Sequence, residues 1–427
     1  MTSAPMRGKR GSKVAGGSST VTKPSGAKAA AKPSAVKSAA VKSSEVKSSA
    51  AKPSAAAQPT PATGAVPLPP EVEALRKGKT AAGNGPVRNA RGQKHVALAL
   101  QGGGAHGAFT WGVLDHLMED GRIAIEAITG TSAGAMNAVA FTDGLIEGGP
   151  EGARRQLERF WRAVSDGGAM SPVQRTIVNR LLGSWSLDNS PGYQWFDMFT
   201  RYASPYEFNP LNINPLKDIL ESEIDFERLR RDHHFHLFIA ATNVHNGKVK
   251  VFSRKEITAE KVLASACLPF LFQAVEIDGV PYWDGGYMGN PVLWPLFYSC
   301  STDDILIVQI NPIERDETPR TAMEIQNRVN EISFNSALLN GLRMIEFVTR
   351  LIQEGKLSTE RYKHIKMHRI DGGKPLLALN ASTKLNAEWE FFTYLRDLGR
   401  EAARQWLEAH FDDIGERSTL DLRGMLA

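Results

Sequence analysis

A serine that could act as a nucleophile lies in the sequence Gly130-Thr131-Ser132-Ala133-Gly134. The pattern G-x-S-x-G between a strand and a helix is typical of a sharp turn that exposes the serine hydroxyl, and the flanking glycines relieve crowding there. The helix that follows also places its positive end near the hydroxyl. By itself the pattern is weak, because any glycine-rich turn between a strand and a helix can contain it. It indicates a serine hydrolase only if other motifs agree.

A second glycine-rich turn, QGGGAHG over residues 101–107, also follows a strand and opens a helix. A dinucleotide-binding fold has G-x-G-x-x-G at such a turn and an acidic residue about 20 positions later. Three acidic residues lie in that range, namely Glu119, Asp120 and Glu126. An acyl-transfer enzyme instead needs backbone N–H groups that face the oxyanion of a tetrahedral intermediate. Because the next turn supplies a nucleophile, we favour an oxyanion hole, with the N–H groups of Gly103 and Gly104 as donors and those of Gly102 and Ala133 as further candidates.

An aspartate could serve as the base, and the sequence D-G-G occurs at Asp166, Asp284 and Asp371. Asp166 comes at the predicted end of a helix, where Asp-Gly-Gly is a common loop signal. Asp371 follows a predicted strand and also suits a turn. Asp284 lies in the segment PYWDGGYMGNP, between a predicted hairpin and a further core strand. The three-residue pattern alone does not choose among them.

The order G-G-G-x-x-G, G-x-S-x-G and then D-G-G resembles the pattern of patatin-like phospholipases, over roughly residues 95–312. The resemblance implies a three-layer α/β sandwich, Ser132 as nucleophile, an oxyanion hole in the 102–107 loop and a two-residue Ser-Asp dyad. The sequence around Asp284, with Asn290 and Pro291 after it, resembles the family, and this resemblance implies that Asp284 is the base. The remaining motif residues are Gly107, Gly130, Gly134, Gly285 and Gly286.

Two features lie outside this pattern. Residues 313–427 resemble the extension seen in a bacterial branch of the family, which we expect to be mostly helical and packed on the hydrolase domain. The family commonly has arginine where this chain has His106, and this departure weakens the expectation of selectivity for charged phospholipids.

The elements that must position these residues follow from hydrophobic periodicity. Strands are predicted over 95–100 and 125–130, and helices over 108–121, 133–145 and 150–165. Strands that alternate with helices predict an α/β fold with a mainly parallel sheet. Further along the chain we predict an irregular aromatic segment (185–208), a hairpin turning at Asn246-Gly247 (235–253), a strand (303–312), a long amphipathic helix (321–356), a strand (364–370) and a closing helix (386–411).

The charge is divided sharply along the chain. Residues 1–94 carry 17 Lys and Arg against three acids, whereas residues 95–427 have a net charge of −9. The first segment is rich in Ala, Lys, Ser and Pro and lacks large side chains that could offset the entropy of ordering, so we predict a disordered tail. Such a tail suits a flexible spacer or attachment to a polyanion, a membrane or a granule surface. The organisation is therefore a tail (1–94), a hydrolase domain (95–312) and an extension (313–427).

Other classes of site have weaker support. No apolar run is long enough to span a membrane, and no apolar stretch follows the basic residues near the start of the sequence. We therefore expect no secretory signal and a cytoplasmic protein with at most peripheral membrane contact. Cys267 and Cys300 allow one disulfide but no disulfide framework. The histidines at 233, 234 and 236 lack the pattern of a metal site, and neither a metal nor a cofactor is expected. The histidines placed late enough to complete a triad are His364, His368 and His410.

The sequence thus predicts a serine-dependent lipid acyl hydrolase. A carboxylesterase or an intracellular polyhydroxyalkanoate depolymerase is the neighbouring alternative, because the motifs define ester chemistry without defining the ester. An alternative of another class is a catalytically silent scaffold with a polyanion-binding tail. The oligomeric state is not indicated.

Overall fold

The computed structural model describes residues 92–169 and 173–426. The predicted disordered tail therefore lies outside the described residues, except for residues 92–94. The strands are β1 (Lys94–Leu100), β2 (Ile123–Gly130), β3 (His236–Asn243), β4 (Val249–Ser253), β5 (Val275–Ile277), β6 (Val280–Asp284), β7 (Asp304–Gln309) and β8 (Lys366–Asp371). The helices up to the hairpin are α1 (Gly107–Asp120), α2 (Ala133–Gly168), α3 (Ile177–Leu181), α4 (Pro191–Tyr202), α5 (Pro205–Phe208), α6 (Pro215–Glu223) and α7 (Phe226–Arg231). Those after it are α8 (Ala259–Ser265), α9 (Trp294–Ser299), α10 (Ala322–Gln353), α11 (Gly373–Leu377), α12 (Trp389–His410) and α13 (Leu422–Leu426).

All eight strands belong to one mixed sheet with the order β5-β6-β3-β2-β1-β7-β8, and β4 pairs with β3. The five strands from β3 to β8 in this order run parallel to one another. The antiparallel strands β4, β5 and β6 lie beyond β3. Because β1 has β2 on one side and β7 on the other, the chain changes direction along the sheet at β1.

Helices cover both faces of the sheet. Along β1, Val96, Leu98 and Leu100 pack into a large core with α1, α2 and α12. The alternate residues, Ala97 and Ala99, face a smaller core formed with α9 and α10. Side chains that alternate in this way place every second residue on the same face of a sheet. The predicted α/β sandwich with a mainly parallel sheet is therefore confirmed.

Several predicted elements are also confirmed. The hairpin is formed by β3 and β4, which pair antiparallel, and the long amphipathic helix is α10. The predicted closing helix is α12. The two predicted helices over 133–145 and 150–165 join into α2, which is kinked by non-helical backbone at Gly148 and Gly149 before Pro150.

The prediction of an irregular segment over 185–208 is wrong for much of its length. Residues 191–202 form α4 and residues 205–208 form α5. Each helix begins with a serine followed by proline, Ser190-Pro191 and Ser204-Pro205. Serine is a favoured N-cap, and proline suits the first helical position because its fixed φ matches the helix. The Ser-Pro pairs were the local signal for these two starts.

The C-terminal part of the chain is integrated with the rest of the sheet. β8 pairs with β7, and α12 crosses α1 at close range. A Cβ atom placed on Gly112 of α1 would overlap the carbonyl oxygen of Arg396, and one on Gly399 of α12 would overlap that of Phe109. The two glycines thus let the helices approach backbone to backbone. Among the helices of the described residues, none is both long and apolar enough to cross a membrane.

Candidate active site

The carboxyl ends of the parallel strands bring the motif residues to one edge of the sheet. The 101–107 loop follows β1, Ser132 follows β2, and Asn311 follows β7. In open α/β sheets, ligands bind outside the carboxyl ends of the strands, where neighbouring connections leave in opposite directions. Since β1 lies between β2 and β7, the glycine loop is at that point of the sheet.

Ser132 sits on a strained turn. Its φ and ψ are 55° and −124°, a conformation that costs free energy for any residue with a Cβ atom. The turn is held by hydrogen bonds: the Ser132 N–H donates to Ser265 Oγ at 2.9 Å, and the Thr131 hydroxyl donates to the Gly289 carbonyl at 2.8 Å. The Ser265 hydroxyl in turn donates to the Ala240 carbonyl at 2.6 Å. The residue is only 8% exposed, so bulk water has little access to it.

Asp284 ends β6 and is completely buried. Burial raises the pKa of its carboxyl to about 7, although the Gly286 N–H and the Ser132 side chain act in the opposite direction by hydrogen bonding. The Gly286 N–H donates to Oδ1 at 2.7 Å, whereas Oδ2 has no aligned donor among the described residues. A buried carboxyl beside the serine hydroxyl, with a pKa near neutrality, is suited to accept a proton.

The backbone of Asp284 is fixed on both sides. Its carbonyl accepts a hydrogen bond from the Thr242 hydroxyl of β3 at 2.8 Å, and its N–H donates to the Cys267 carbonyl at 2.8 Å. These contacts place the carboxyl beside the end of β2, where Ser132 lies.

The other two D-G-G sequences have structural roles. Asp166 lies in the last turn of α2. Asp371 ends β8 as an exposed residue; its Oδ1 accepts a hydrogen bond from the Gly373 N–H at 3.0 Å, and it pairs with Arg369. Of the three aspartates, Asp284 is the one that interacts with the Ser132 side chain.

The glycine loop requires one correction. The sequence suggests the Gly102 N–H as a candidate oxyanion donor, but this N–H donates to Asn290 Oδ1 at 2.6 Å. The N–H groups of Gly103, Gly104 and Ala133 make no hydrogen bond to any described residue. Gly104 has a φ of +60°, and a Cβ atom there would lie 2.5 Å from the Lys384 carbonyl oxygen. Three backbone donors, rather than four, thus remain for an anion.

A buried polar network behind this loop is absent from the sequence prediction. Gln101 Oε1 accepts hydrogen bonds from the Ile310 and Asn311 N–H groups at 3.0 and 2.9 Å, and its Nε2 donates to Asn335 Oδ1 at 3.1 Å. The side chain of Asn290 pairs with the backbone of Gly102. Gln101 and Asn311 are polar residues directly after the parallel strands β1 and β7, and that position was the available signal.

His106 is tied to the C-terminal part of the chain. Its Nε2 lies 2.6 Å from Thr383 Oγ1, and the Thr383 hydroxyl donates to the Asn380 carbonyl at 2.6 Å. Nε2 must therefore carry the proton and donate. Burial, followed by the positive charges of Lys384 and Arg315, lowers the pKa of His106 well below its usual value. His106 is therefore a neutral side chain that links the glycine loop to Thr383, and it does not serve as a base for Ser132.

The late histidines are not brought to Ser132. His368 Nε2 pairs with Asp304 Oδ1 at 3.0 Å. Asp304 begins β7, so this pair lies at the amino end of the parallel strands, opposite to the Ser132 edge. His410 pairs with Asp413 beyond the end of α12. Neither His368 nor His410 is therefore placed to complete a triad with Ser132.

The remaining candidate groups are two cysteines and the histidines near residue 234. Cys267 and Cys300 are buried and are not joined in a disulfide. Burial raises the pKa of the Cys267 thiol to about 12. His233 and His234 are exposed, and the described residues contain no group of three or more His, Cys, Asp or Glu side chains that could hold a metal ion.

A cavity of about 300 Å³ lies at the carboxyl ends of β7 and β8. Its walls include Ile310 and Asn311, which contact the glycine loop, together with Arg369 and Asp371. Neither Ser132 nor Asp284 lines it. The cavity is therefore a neighbour of the candidate site and not the site itself.

A serine on a strained strand-to-helix turn, beside a buried carboxyl and unpaired amides, is typical of serine hydrolases. Comparison with known families identifies the branch: residues 98–297 match the model of the patatin-like phospholipase family. Residues 98–297 are therefore similar to a patatin-like phospholipase domain. No curated protein matches the chain.

Solved structures that match include VipD from Legionella pneumophila, with 16% identity and a TM-score of 0.36 over 74% of this chain and 67% of that one. Human GIVD cytosolic phospholipase A2, in complex with methyl gamma-linolenyl fluorophosphonate, has 14% identity and a TM-score of 0.35 over 84% and 64%. The type III effector ExoU has 14% identity and a TM-score of 0.28 over 74% and 53%. The chain thus spans between about half and two thirds of these proteins, and the fold assignment rests on its own sheet.

Proposed function

We propose that this protein is a lipid acyl hydrolase that uses Ser132 as nucleophile and Asp284 as general base. The observation that carries the proposal is the pairing of a strained Ser132 with a fully buried carboxyl whose pKa is raised to about 7. The match to the patatin-like phospholipase family supports a lipid ester as the substrate. We keep the division into a hydrolase domain (95–312) and an extension (313–427) as part of this proposal.

In the first half of the reaction, Ser132 Oγ attacks the ester carbonyl and its proton passes to the Asp284 carboxylate. The oxyanion of the tetrahedral intermediate accepts hydrogen bonds from the N–H groups of Gly103, Gly104 and Ala133. The intermediate collapses, the proton moves from Asp284 to the leaving alkoxide, and an alcohol departs from the acyl-enzyme. Asp284 then takes a proton from water, which attacks the acyl group. The second tetrahedral intermediate collapses, the proton passes from Asp284 to Ser132 Oγ, and the acid leaves.

Labelling by a fluorophosphonate tests the nucleophile. We expect the wild-type protein to be labelled and to hydrolyse nitrophenyl esters, and Ser132→Ala to lose both properties. Ser301→Ala is a matched control, because Ser301 is an exposed serine bonded to Glu126, away from the site. A protein that is not labelled, although folded, would instead be the silent scaffold.

The identity of the base is tested by comparing Asp284→Asn with Asp371→Asn. Both aspartates precede two glycines, but Asp371 is exposed. We expect Asp284→Asn to lose at least about 10²-fold in kcat, the lower range for removing a general base, and Asp371→Asn to keep wild-type kcat. The reverse result would overturn the assignment.

The class of ester is tested by direct competition. We expect hydrolysis of phosphatidylcholine vesicles to exceed that of poly(3-hydroxybutyrate) granules under the same conditions, with mass spectrometry of the products to identify the bond cleaved. Faster release of hydroxybutyrate would favour a polyester depolymerase. Activity on short nitrophenyl esters alone would favour a carboxylesterase.

A surface beside the site suits contact with a lipid bilayer. We call it the apolar rim, and it consists of the exposed residues Trp195, Met198, Tyr202, Tyr206, Leu211, Ile213 and Phe270. It is connected to the candidate base: Gln273 donates to the Asn209 carbonyl at 2.8 Å, and the same 267–274 loop accepts the Asp284 N–H at the Cys267 carbonyl. Large exposed apolar side chains concentrated in one stretch of a chain suit an interaction with a membrane or a partner. We place the membrane against the apolar rim.

Vesicle sedimentation tests this placement. We expect the triple change Trp195→Ser, Leu211→Ser and Ile213→Ser to reduce binding to phosphatidylcholine vesicles while hydrolysis of a soluble nitrophenyl ester is unchanged. The matched control replaces Ile325, Val329 and Ile332 by serine, since these are exposed apolar residues on α10. Equal loss of binding in both variants would contradict the placement. Contact of residues 1–94 with a polyanion remains a separate prediction.

A further inference from the structure

The Gly102–Gly103 peptide unit is held from behind by two asparagine side chains. Its carbonyl, that of Gly102, accepts hydrogen bonds from Asn311 Nδ2 at 2.6 Å and from Asn290 Nδ2 at 3.2 Å. Its N–H, that of Gly103, is one of the three donors left for an oxyanion. Both asparagines are almost completely buried. Hydrogen bonds to the carbonyl of a peptide polarise that unit and make its N–H a stronger donor.

The Asn311 side chain is itself held by a lysine from the C-terminal part of the chain. Lys384 Nζ donates to Asn311 Oδ1 at 2.8 Å. A continuous chain of hydrogen bonds therefore runs from Lys384 through the Asn311 amide to the Gly102 carbonyl. In a low-dielectric interior, donors in such a chain strengthen one another, and a charged donor at its end has the largest effect.

The surroundings of Lys384 are positive. Glu331 is buried and pairs with both Arg315 at 2.7 Å and Arg328 at 3.1 Å. Burial lowers the pKa of Lys384, Glu331 opposes that shift and Arg315 adds to it. Arg315 and Arg328 thus pair with a single carboxylate, and Lys384 interacts with the same carboxylate at longer range. A positive field at that place favours negative charge on the loop's opposite side, where an oxyanion would form.

We propose that Lys384 is a positioning residue that acts through Asn311: it orients and polarises the Gly102–Gly103 peptide and so strengthens the Gly103 N–H as an oxyanion donor. The inference rests on the proposed hydrolase function. It adds that residues 313–427 contribute to the chemistry of the site, beyond packing against it.

A double-mutant cycle tests the proposal. We expect Lys384→Met to lower kcat about 10-fold with KM nearly unchanged, which is less than the ~10²–10³-fold cost of losing an oxyanion donor outright. Because Lys384 acts through Asn311, we expect Lys384→Met to cause no further loss in an Asn311→Leu background. An equal loss in both backgrounds would overturn the relay. If Asn311→Leu fails to fold, Asn311→Asp replaces it, since that change keeps the acceptor for Lys384 and removes the donor to Gly102.

A second readout separates this role from a merely structural one. An alkyl trifluoromethyl ketone forms a tetrahedral oxyanion adduct with an active-site serine, so its inhibition constant should weaken about 10-fold in Lys384→Met, in parallel with kcat. The control Lys374→Met removes an exposed lysine of the same C-terminal part and should change neither quantity. The proposal would be overturned if Lys384→Met bound the ketone as the wild type does and if its loss of kcat were explained by a lower melting temperature alone. A wild-type protein without Ser132-dependent turnover would instead reject the hydrolase function itself.

Discussion

Asn290 and Gly102 exchange two hydrogen bonds: the Gly102 N–H donates to Asn290 Oδ1 at 2.6 Å, and Asn290 Nδ2 donates to the Gly102 carbonyl at 3.2 Å. The side-chain amide pairs with Gly102 as a neighbouring strand would, and it fixes the peptide units on both sides of this glycine. The exchange also removes the Gly102 N–H from the set of possible oxyanion donors.

Asn290→Asp tests this exchange. The carboxylate can still accept from the Gly102 N–H, but it has no donor for the Gly102 carbonyl and brings a charge into a fully buried place. We expect the free energy of unfolding to fall by about 2–4 kcal/mol, in the range for a buried, uncompensated group, and kcat to fall at least 10-fold. Denaturant unfolding and steady-state kinetics measure the two quantities. A variant with wild-type kcat would show that this clamp does not matter for catalysis.

The raised pKa of Asp284 predicts the pH dependence of activity. A base must be ionised to accept a proton, so kcat/KM should rise with pH and level off above an apparent pKa of about 7. His106→Gln provides the control, because glutamine can keep the donor to Thr383 without a titrating ring. The pH profile of that variant should retain the same midpoint. A midpoint that disappears in His106→Gln would assign the ionisation to the histidine.

The same shift predicts that Asp284 opposes folding at alkaline pH. Its folded pKa of about 7 lies above the ordinary value of 3.8, so the unfolded chain releases this proton first. Stability is therefore lost as pH rises from about 4 to 7, by roughly 4 kcal/mol at most. We expect Asp284→Asn, although inactive, to melt at a higher temperature than the wild type at pH 8.

At pH 4.5 the wild-type carboxyl is protonated in the folded protein but still partly ionised in the unfolded chain, whose ordinary pKa is 3.8. The gain from Asp284→Asn should therefore fall to about a quarter of its value at pH 8. Asp371→Asn, at an exposed position, should show no such difference between the two pH values. Calorimetric melting at both values measures it. If Asp284→Asn raised the melting temperature equally at pH 4.5 and pH 8, the buried charge of Asp284 would not be the cause of the increase.

A glycine at the crossing of α1 and α12 and a glycine inside α10 should respond in opposite ways to substitution by alanine. A Cβ atom on Gly112 would overlap the Arg396 carbonyl oxygen, so Gly112→Ala should destabilise the protein by about 1–3 kcal/mol. Gly341 lies inside α10, and a Cβ atom there would meet Leu293 at an ordinary 3.7 Å. Gly341→Ala should therefore stabilise by about 0.5–1 kcal/mol through helix propensity. Denaturant unfolding midpoints measure both changes. An unchanged stability in Gly112→Ala would contradict the close approach of the two helices.

Local signals in the sequence were sufficient for much of the fold. The two glycine-rich turns, the parallel strands around them and the helix α10 follow from periodicity and motif order. The choice of Asp284 over Asp371 came from resemblance, and the structure adds a physical distinction, since one is buried and the other exposed. The Ser-Pro pairs at 190 and 204 indicate helix starts, but the prediction for residues 185–208 followed the aromatic composition instead.

The support of the glycine loop could not be predicted from sequence. Gly102 and Asn290 are 188 positions apart, and Asn311 and Lys384 are 73 apart. No local pattern links such residues, because their contact depends on where β7 and the C-terminal segment enter the fold. The glycines at 102–104 indicate that backbone N–H groups could face an oxyanion. They do not show which of these N–H groups already donate to another residue of the protein.

The contact between Lys384 and the loop after β1 has a consequence for biosynthesis. A ribosome releases Ser132 and the glycine loop long before it reaches residues 383 and 384, which tie down His106 and Asn311. A nascent chain thus contains the proposed nucleophile before it contains the residues that support the glycine loop. The proposed activity would therefore appear only after residue 384 has been made and has folded against the loop.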